Sequence, residues 1–246
     1  MTAEERACWR IREPNRTEAE RTFVVLGIVH GGTSMIAGLL RLLGIYMGPN
    51  LDSTHENKQF REALLGNRTT LDRCLAPLRL FTAYRRLVRE FNREHAVWGV
   101  KDPLLTFYLP LLARYWRNPV YILVLRNVVT TAARQAPHFQ RPFEKCLTKV
   151  LTGYRWLTRF AMASGRPLLI INYEAAMQNK EEVVQTLADY CGAPLSEERY
   201  RAALAFMDNQ KGYQWLMDDH TASLVGFIER VADKQVCGWA FNPQTL

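Results

Sequence analysis

Between Thr22 and Gly44 the chain reads TFVVLGIVHGGTSMIAGLLRLLG, an order of residues that few folds accept. Phe23, Val24, Val25 and Leu26 form a short continuous apolar run containing β-branched residues, the pattern of a strand buried on both faces. Residues 27–34 then supply three glycines and two hydroxyls. From Met35 onward, Ile36, Leu39, Leu40 and Leu43 recur at helical spacing until Gly44 ends the run. The reading is strand, glycine-rich loop, helix. Such a loop turns several backbone N–H groups and the positive end of a helix dipole toward one point, which suits a phosphate or a sulfate.

The remaining pattern extends this unit into a domain. Further strands are predicted at 96–100, 120–125 and 168–171, with a short one at 45–47 between Gly44 and Gly48. Helical patterns run over 104–116, about 128–135, 143–163 and 181–190, the last closing at Gly192, and a long polar helical region spans 55–91. Strands alternating with helices predict an α/β fold, a parallel β-sheet flanked by helices with ligands gathered at the carboxyl ends of its strands. Residues 1–21 read as a polar leader with one helical turn near 18–21, and 22–220 as the α/β domain. Residues 221–246 read as a β-rich segment, the start of a truncated second domain or a terminal hairpin, because 225–243 alternates around a turn at 232–234.

Composition excludes more than it selects. With 246 residues and 48% hydrophobic content the chain can bury a substantial core. A net charge of +8 favours anionic partners, whether a nucleotide, an acidic glycan, a nucleic acid or a membrane surface. The basic residues are spread along the chain without a recognition motif, so no nucleic-acid partner is expected. Five cysteines without CxxC pairs or histidines at ligand spacing argue against zinc and against a disulfide framework, and a reducing, cytoplasmic compartment is expected. No run reaches the roughly 18 apolar residues of a membrane span.

Gly27, Gly32 and Ser34 fit the nucleotide-binding pattern G-x-x-x-x-G-K-S/T, but Thr33 stands at the lysine position. GIVHGGTS resembles instead the 5′-phosphosulfate loop of the sulfotransferases, a basic residue followed by Ser-Gly-Thr-Ser or Ser-Gly-Thr-Thr. His30 takes the basic position and Gly31 the serine position, while Gly32, Thr33 and Ser34 match. The resemblance covers residues 22–192. WGVKDP at 98–103 is similar to the family's WG-x-KDP stretch. Arg126 and Asn127 resemble the opening of its 3′-phosphate site, with Val128 in place of the usual proline and Arg134 in place of a serine. Tyr173 and Glu174 resemble a Y-E-x-L stretch that stabilises the fold near the nucleotide, and QKGYQW at 210–215 is loosely similar to the basic loop over the adenine and 3′-phosphate. Gly238, Trp239 and Ala240 resemble the core of a small β module found beside sulfotransferase and glycosyltransferase domains.

The resemblance implies a P-loop NTPase-like sulfotransferase fold that uses 3′-phosphoadenylyl sulfate (PAPS) as donor. Adenosine 3′,5′-bisphosphate (PAP) would be the product, no metal is required, and the sulfuryl group passes to a hydroxyl, with a carbohydrate as acceptor by analogy with the β module. The implied donor contacts are His30, Gly31, Gly32, Thr33, Ser34, Arg126, Arg134 and Lys211. Lys101 is expected to steady the sulfuryl oxygens, and His30, protonated against the bound anion, the bridging oxygen. An attacking hydroxyl must shed its proton, and THENKQFRE at 54–62 offers Glu56 as base, with His55 and Glu62 behind it. Plainer readings stand beside these: a surface Lys101–Asp102 ion pair, a surface Arg126 beside a helix-capping Asn127, a solvated turn at Lys211, a solvated helix start at Glu56 and Glu62, and a neutral, packed His30. For the whole chain the alternatives are a catalytically inactive nucleotide- or glycan-binding module, suggested by His30, Val128 and Arg134, and a P-loop kinase, which Thr33 deprives of its lysine. The oligomeric state stays open.

Overall fold

The apolar runs pair into one sheet. In the computed structural model, which describes residues 6–49, 51, 55–65, 72–103, 106, 108–208, 225–232 and 235–241, β2 (Arg21–Leu26), β3 (Val97–Lys101), β4 (Pro119–Leu125) and β5 (Leu168–Asn172) lie parallel. β1 (Cys8–Arg12) joins the edge antiparallel to β5, which gives the order β1-β5-β4-β2-β3. The sheet is therefore mixed, and residues expected as a polar leader supply one of its strands. Charged residues alternate through CWRIR, so a short edge strand there carries little apolar signal. It is held by Arg12, whose Nε donates to Arg166 O at 2.7 Å and whose carbonyl accepts from Tyr190 Oη at 2.9 Å.

Two segments differ from expectation, and a third resolves into the several helices its pattern implies. Residues 45–47 make a single parallel bridge, Tyr46 to Trp98, rather than a strand, because Gly44 (φ 90°) and Gly48 (φ 102°) turn the chain on either side. The helix expected over 104–116 contracts among the described residues to α4 (Leu109–Leu112), with Pro110 in its first turn, and a 3-10 turn at Ala113–Tyr115. The polar region 55–91 contains α2 (Lys58–Leu65) and α3 (Asp72–Glu94). α1 (Thr33–Leu42), α5 (Val128–Phe139), α6 (Phe143–Ala163) and α8 (Lys180–Cys191, capped by Gly192 at φ 65°) follow the sequence pattern, and two helices stand outside it, α7 (Tyr173–Gln178) and α9 (Glu197–Asp208).

One face of the sheet presents Val24, Leu26, Val100, Tyr121 and Leu123 to a core built with Tyr84, Val88 and Phe91 of α3, Ala132 of α5, and Val150, Tyr154 and Leu157 of α6. Phe23, Val25, Ile122 and Val124 alternate to the other face, and α1 packs on β2 and β3 through Met35, Ile36, Leu39 and Leu40. The chain divides into two compact units, Met1–Leu204 and Ala205–Leu246. The second contains an antiparallel hairpin of β6 (Val225–Ala232) and β7 (Gln235–Phe241), as its alternating sequence predicts. Among the described residues no helix is long and apolar enough to cross a membrane.

The strand order positions the site. From β2 the chain moves to β3 on one side and then crosses to β4 on the other, so the direction of winding reverses beside β2. Reversal leaves a crevice at the carboxyl ends of β2 and β4. Loop 27–34 leaves one lip, and Arg126 stands on the other.

Candidate active site

The loop is built by close approach. Gly32 caps α1 at φ 86°, and a Cβ there would enter the ring of Tyr173. At Gly31 a Cβ would lie 2.8 Å from Ile28 O and 3.2 Å from Tyr154 Oη, which explains why glycine stands at the family's serine position. His30, with no glycine's freedom, also adopts a left-handed backbone at φ 63°. Such a conformation costs on the order of 1–3 kcal/mol and is held by the surrounding packing. Gln135 on α5 contributes by donating from Nε2 to Val29 O at 2.8 Å.

The His30 ring meets His138 edge-on, 4.7 Å between centroids, and its Nε2 is buried without a hydrogen-bond partner. Burial pushes its pKa down to about 4, and the neighbouring His138, Arg134, Arg126 and Lys101 reinforce the shift. The imidazole is therefore neutral in the anion-free protein. A protonated His30 requires a bound anion to offset both desolvation and those cations.

Arg126 is buried rather than on the surface. Its backbone N–H donates to Tyr154 Oη at 3.0 Å, its Nη1 donates to His30 O at 3.2 Å, and its guanidinium lies 4.2 Å over the Tyr173 ring. Glu174 binds the same corner, 3.8 Å from Arg126 Nε and accepting from Asn127 N–H at 3.1 Å. The Asn127 side chain caps α5 by accepting from Thr130 N–H at 3.0 Å. Tyr173 and Glu174 thus stabilise the fold at the crevice by fixing Arg126. Arg134, one of the sequence candidates, is also buried.

On the opposite lip, Lys101 at the end of β3 donates from Nζ to Glu56 Oε1 at 2.5 Å and to Ser34 Oγ at 3.2 Å. Arg61 pairs with the second oxygen of Glu56 and lies 4.0 Å from Asp102 Oδ2. Lys101, Glu56 and Asp102 are all buried, so the surface Lys101–Asp102 pair gives way to an interior cluster. Lys101 brings to Ser34 the ammonium that Thr33 does not supply within the loop. Glu62 is exposed on α2 and does not join, while His55 is half-buried at φ 58°. Lys211 lies outside the described residues.

The structure therefore gathers His30, Gly31, Gly32, Thr33, Ser34, Glu56, Lys101, Arg126 and Arg134 around one crevice and leaves Glu62 apart. Sequence reading missed Tyr154, Gln135, His138 and Arg61. Tyr154, Gln135 and His138 act through contacts with distant segments, and Arg61 gains its place by pairing with Glu56 beside the distant Asp102, so no local pattern marks them. The orphaned His30 Nε2 and the Gly31–Gly32 cradle, beside the buried cations Arg126 and Arg134, suit an anionic ligand. Among the described residues no group of three histidines, cysteines or acids is arranged to hold a metal ion.

The sulfotransferase family model matches residues 23–197 of the chain. No curated protein matches the chain. Among solved structures, a sulfotransferase from Mycobacterium avium superposes with a TM-score of 0.53 at 12% identity, over 81% of this chain and 71% of the other, a likeness of fold. A Mycobacterium tuberculosis sulfotransferase gives 0.49 at 16% identity, over 78% and 72% of the two chains. The sulfotransferase domain of the Synechococcus olefin synthase gives 0.46 at 16%, over 76% and 77%.

Proposed function

The chain belongs to the sulfotransferase family, and on that premise we propose that it transfers a sulfuryl group from PAPS to a hydroxyl acceptor, with a carbohydrate as the acceptor class. The observation that carries the reading is the Ser34–Lys101–Glu56 chain of contacts, which joins an ammonium and a carboxylate to an anion-binding loop. The donor supplies an activated sulfuryl group on its 5′-phosphate.

The N–H groups of the loop and the N-terminus of α1 hold the phosphosulfate, and Arg126 and Arg134 hold the 3′-phosphate. Lys101 steadies the sulfuryl oxygens as charge moves toward the leaving phosphate. Glu56, oriented by Lys101 and Arg61, takes the acceptor's hydroxyl proton while the new O–S bond forms and the S–O bond to the 5′-phosphate breaks. His30 takes up a proton against the bridging oxygen. The buried free thiols of Cys8, Cys146 and Cys191 suit a reducing, cytoplasmic setting.

Calorimetric titration with PAP and with ATP·Mg²⁺, on the wild type and Arg126→Ala, tests the donor half. Preferential PAP binding lost in Arg126→Ala is expected, and preference for ATP overturns it. Transfer of labelled sulfate from PAPS to carbohydrate hydroxyls tests the second half. The neutral His30 and the altered positions Val128 and Arg134 favour one other reading, a binding module on the same fold. PAP binding without turnover of PAPS would assign it.

A further inference from the structure

The opposite side of α3 from its buried residues carries a second charged feature, away from the crevice contacts. Tyr84, Val88 and Phe91 face the core. Arg85, Arg86, Arg89 and Arg93 occupy the solvent side and, with Glu90 and Tyr115, line a cleft of about 500 Å³. Four arginines face one glutamate in that lining, and none of it is lysine. At about 1.5 Å per residue, Arg85 to Arg93 spans roughly 12 Å, with successive helical turns about 5.4 Å apart, close to the advance of one sugar ring in an extended chain. Tyr115 forms the wall: Arg85 and Arg114 lie 5.8 and 5.0 Å from its ring centroid, and Arg114 Nη2 donates to its hydroxyl at 2.9 Å.

We propose that this cleft is a docking site for an extended acidic polysaccharide, whose carboxylates or sulfates are taken by guanidinium forks at intervals along α3. Forked donors match planar carboxylate and sulfate oxygens in pairs, which a point-charge ammonium does not. The occupant is a linear chain rather than a membrane. The surface is concave, and the exposed large apolar side chains of the described residues (Ile11, Leu111, Val129, Phe143, Leu151, Trp156 and Met162) do not line it. A single-stranded nucleic acid needs open aromatic faces for its bases, whereas Arg85 and Arg114 already lie over the Tyr115 ring. The cleft deepens the acceptor half of the proposed function and rests on that reading only there. It would hold an acidic chain while one of its hydroxyls is presented elsewhere.

The test uses the full chain with polygalacturonate and dextran sulfate as carboxylate and sulfate probes, and neutral dextran, oligodeoxythymidylate and phosphatidylglycerol vesicles as contrasts. The wild type is expected to bind an acidic polysaccharide in a salt-sensitive manner and to ignore dextran. Arg86→Ala/Arg89→Ala should weaken that binding about tenfold, while Arg41→Ala/Arg159→Ala, which removes the same charge from exposed sites elsewhere, should leave it unchanged. PAP affinity should be equal in all three proteins. Retention of binding by the first variant, equal loss in both variants, or tighter binding of the oligonucleotide or the vesicles overturns the proposal. Loss of the donor reading would appear separately, as absent PAP binding in the wild type.

Discussion

Lys101 Nζ lies 2.5 Å from Glu56 Oε1, and both side chains are almost wholly buried. Removing one member of a buried ion pair strands the other's charge in the interior, at a cost of about 3–5 kcal/mol. Lys101→Met is therefore expected to lower the urea midpoint and to abolish transfer. Lys101→Met/Glu56→Gln should recover part of the stability and none of the activity. A double variant that regains activity would remove Lys101 and Glu56 from the chemistry.

The two carboxylates of 54–62 separate cleanly. Glu56→Gln is expected to lower kcat by about 10²–10⁴ with PAP affinity retained, the usual scale for loss of a general base. Glu62 is exposed, and Glu62→Gln should leave kcat within about twofold. Equal activities in the two variants would withdraw the base from Glu56.

His30 makes both stability and donor binding depend on pH. Its folded-state pKa, about 4, lies below its ordinary 6.5. Between these values the unfolded chain binds a proton that the folded protein does not. The contribution is thus complete above about 6.5 and fades as pH falls toward 4. A His30→Gln variant should lose less stability than the wild type across that window. PAP binding should take up a proton in the wild type but not in His30→Gln, which calorimetry in buffers of different ionisation enthalpy would read directly.

Gly32 and Tyr173 share one space. Gly32→Ala combines a strained positive φ, about 1–3 kcal/mol, with a Cβ driven into the Tyr173 ring. A fall in Tm of several degrees and loss of PAP binding are expected. Gly32→Ala/Tyr173→Ala should relieve the collision but not the backbone strain, so its Tm should recover only in part.

Arg126→Lys tests shape against charge. A lysine keeps the charge but not the planar stack on Tyr173 or the fork that reaches His30 O. PAP affinity is expected to fall about tenfold or more, and full retention would reduce Arg126 to a source of positive potential.

Much of this was legible from residues 22–44 alone, because a buried strand, a glycine loop and an amphipathic helix each carry a strong local pattern, and they appear as β2, the loop and α1. β4, β5 and α6 were legible for the same reason. β1 was not. One apolar face among arginines is enough for a strand that is held by β5, and nothing local reveals that partner. In the candidate site, the position of the glycine loop and of Arg126 at the strand ends followed from type and pattern. The Lys101–Glu56–Arg61 cluster, the Tyr154 hydroxyl beneath Arg126 N–H and the His30–His138 contact depend on tertiary placement. That placement also gives Lys101 a buried partner in Glu56, 45 residues away in the chain.

The antiparallel strand β1 has a consequence for the order in which the molecule assembles. It leaves the ribosome ahead of β2 to β5, yet the groups that anchor Arg12 lie 149 to 178 residues further along the chain. Pairings of such long range are slow to form, because the loop they close must be ordered first. β1 therefore waits until β5 and α8 have emerged, and its docking is the act that seals the exposed flank of β5. Until then that flank is a bare edge open to any other nascent chain.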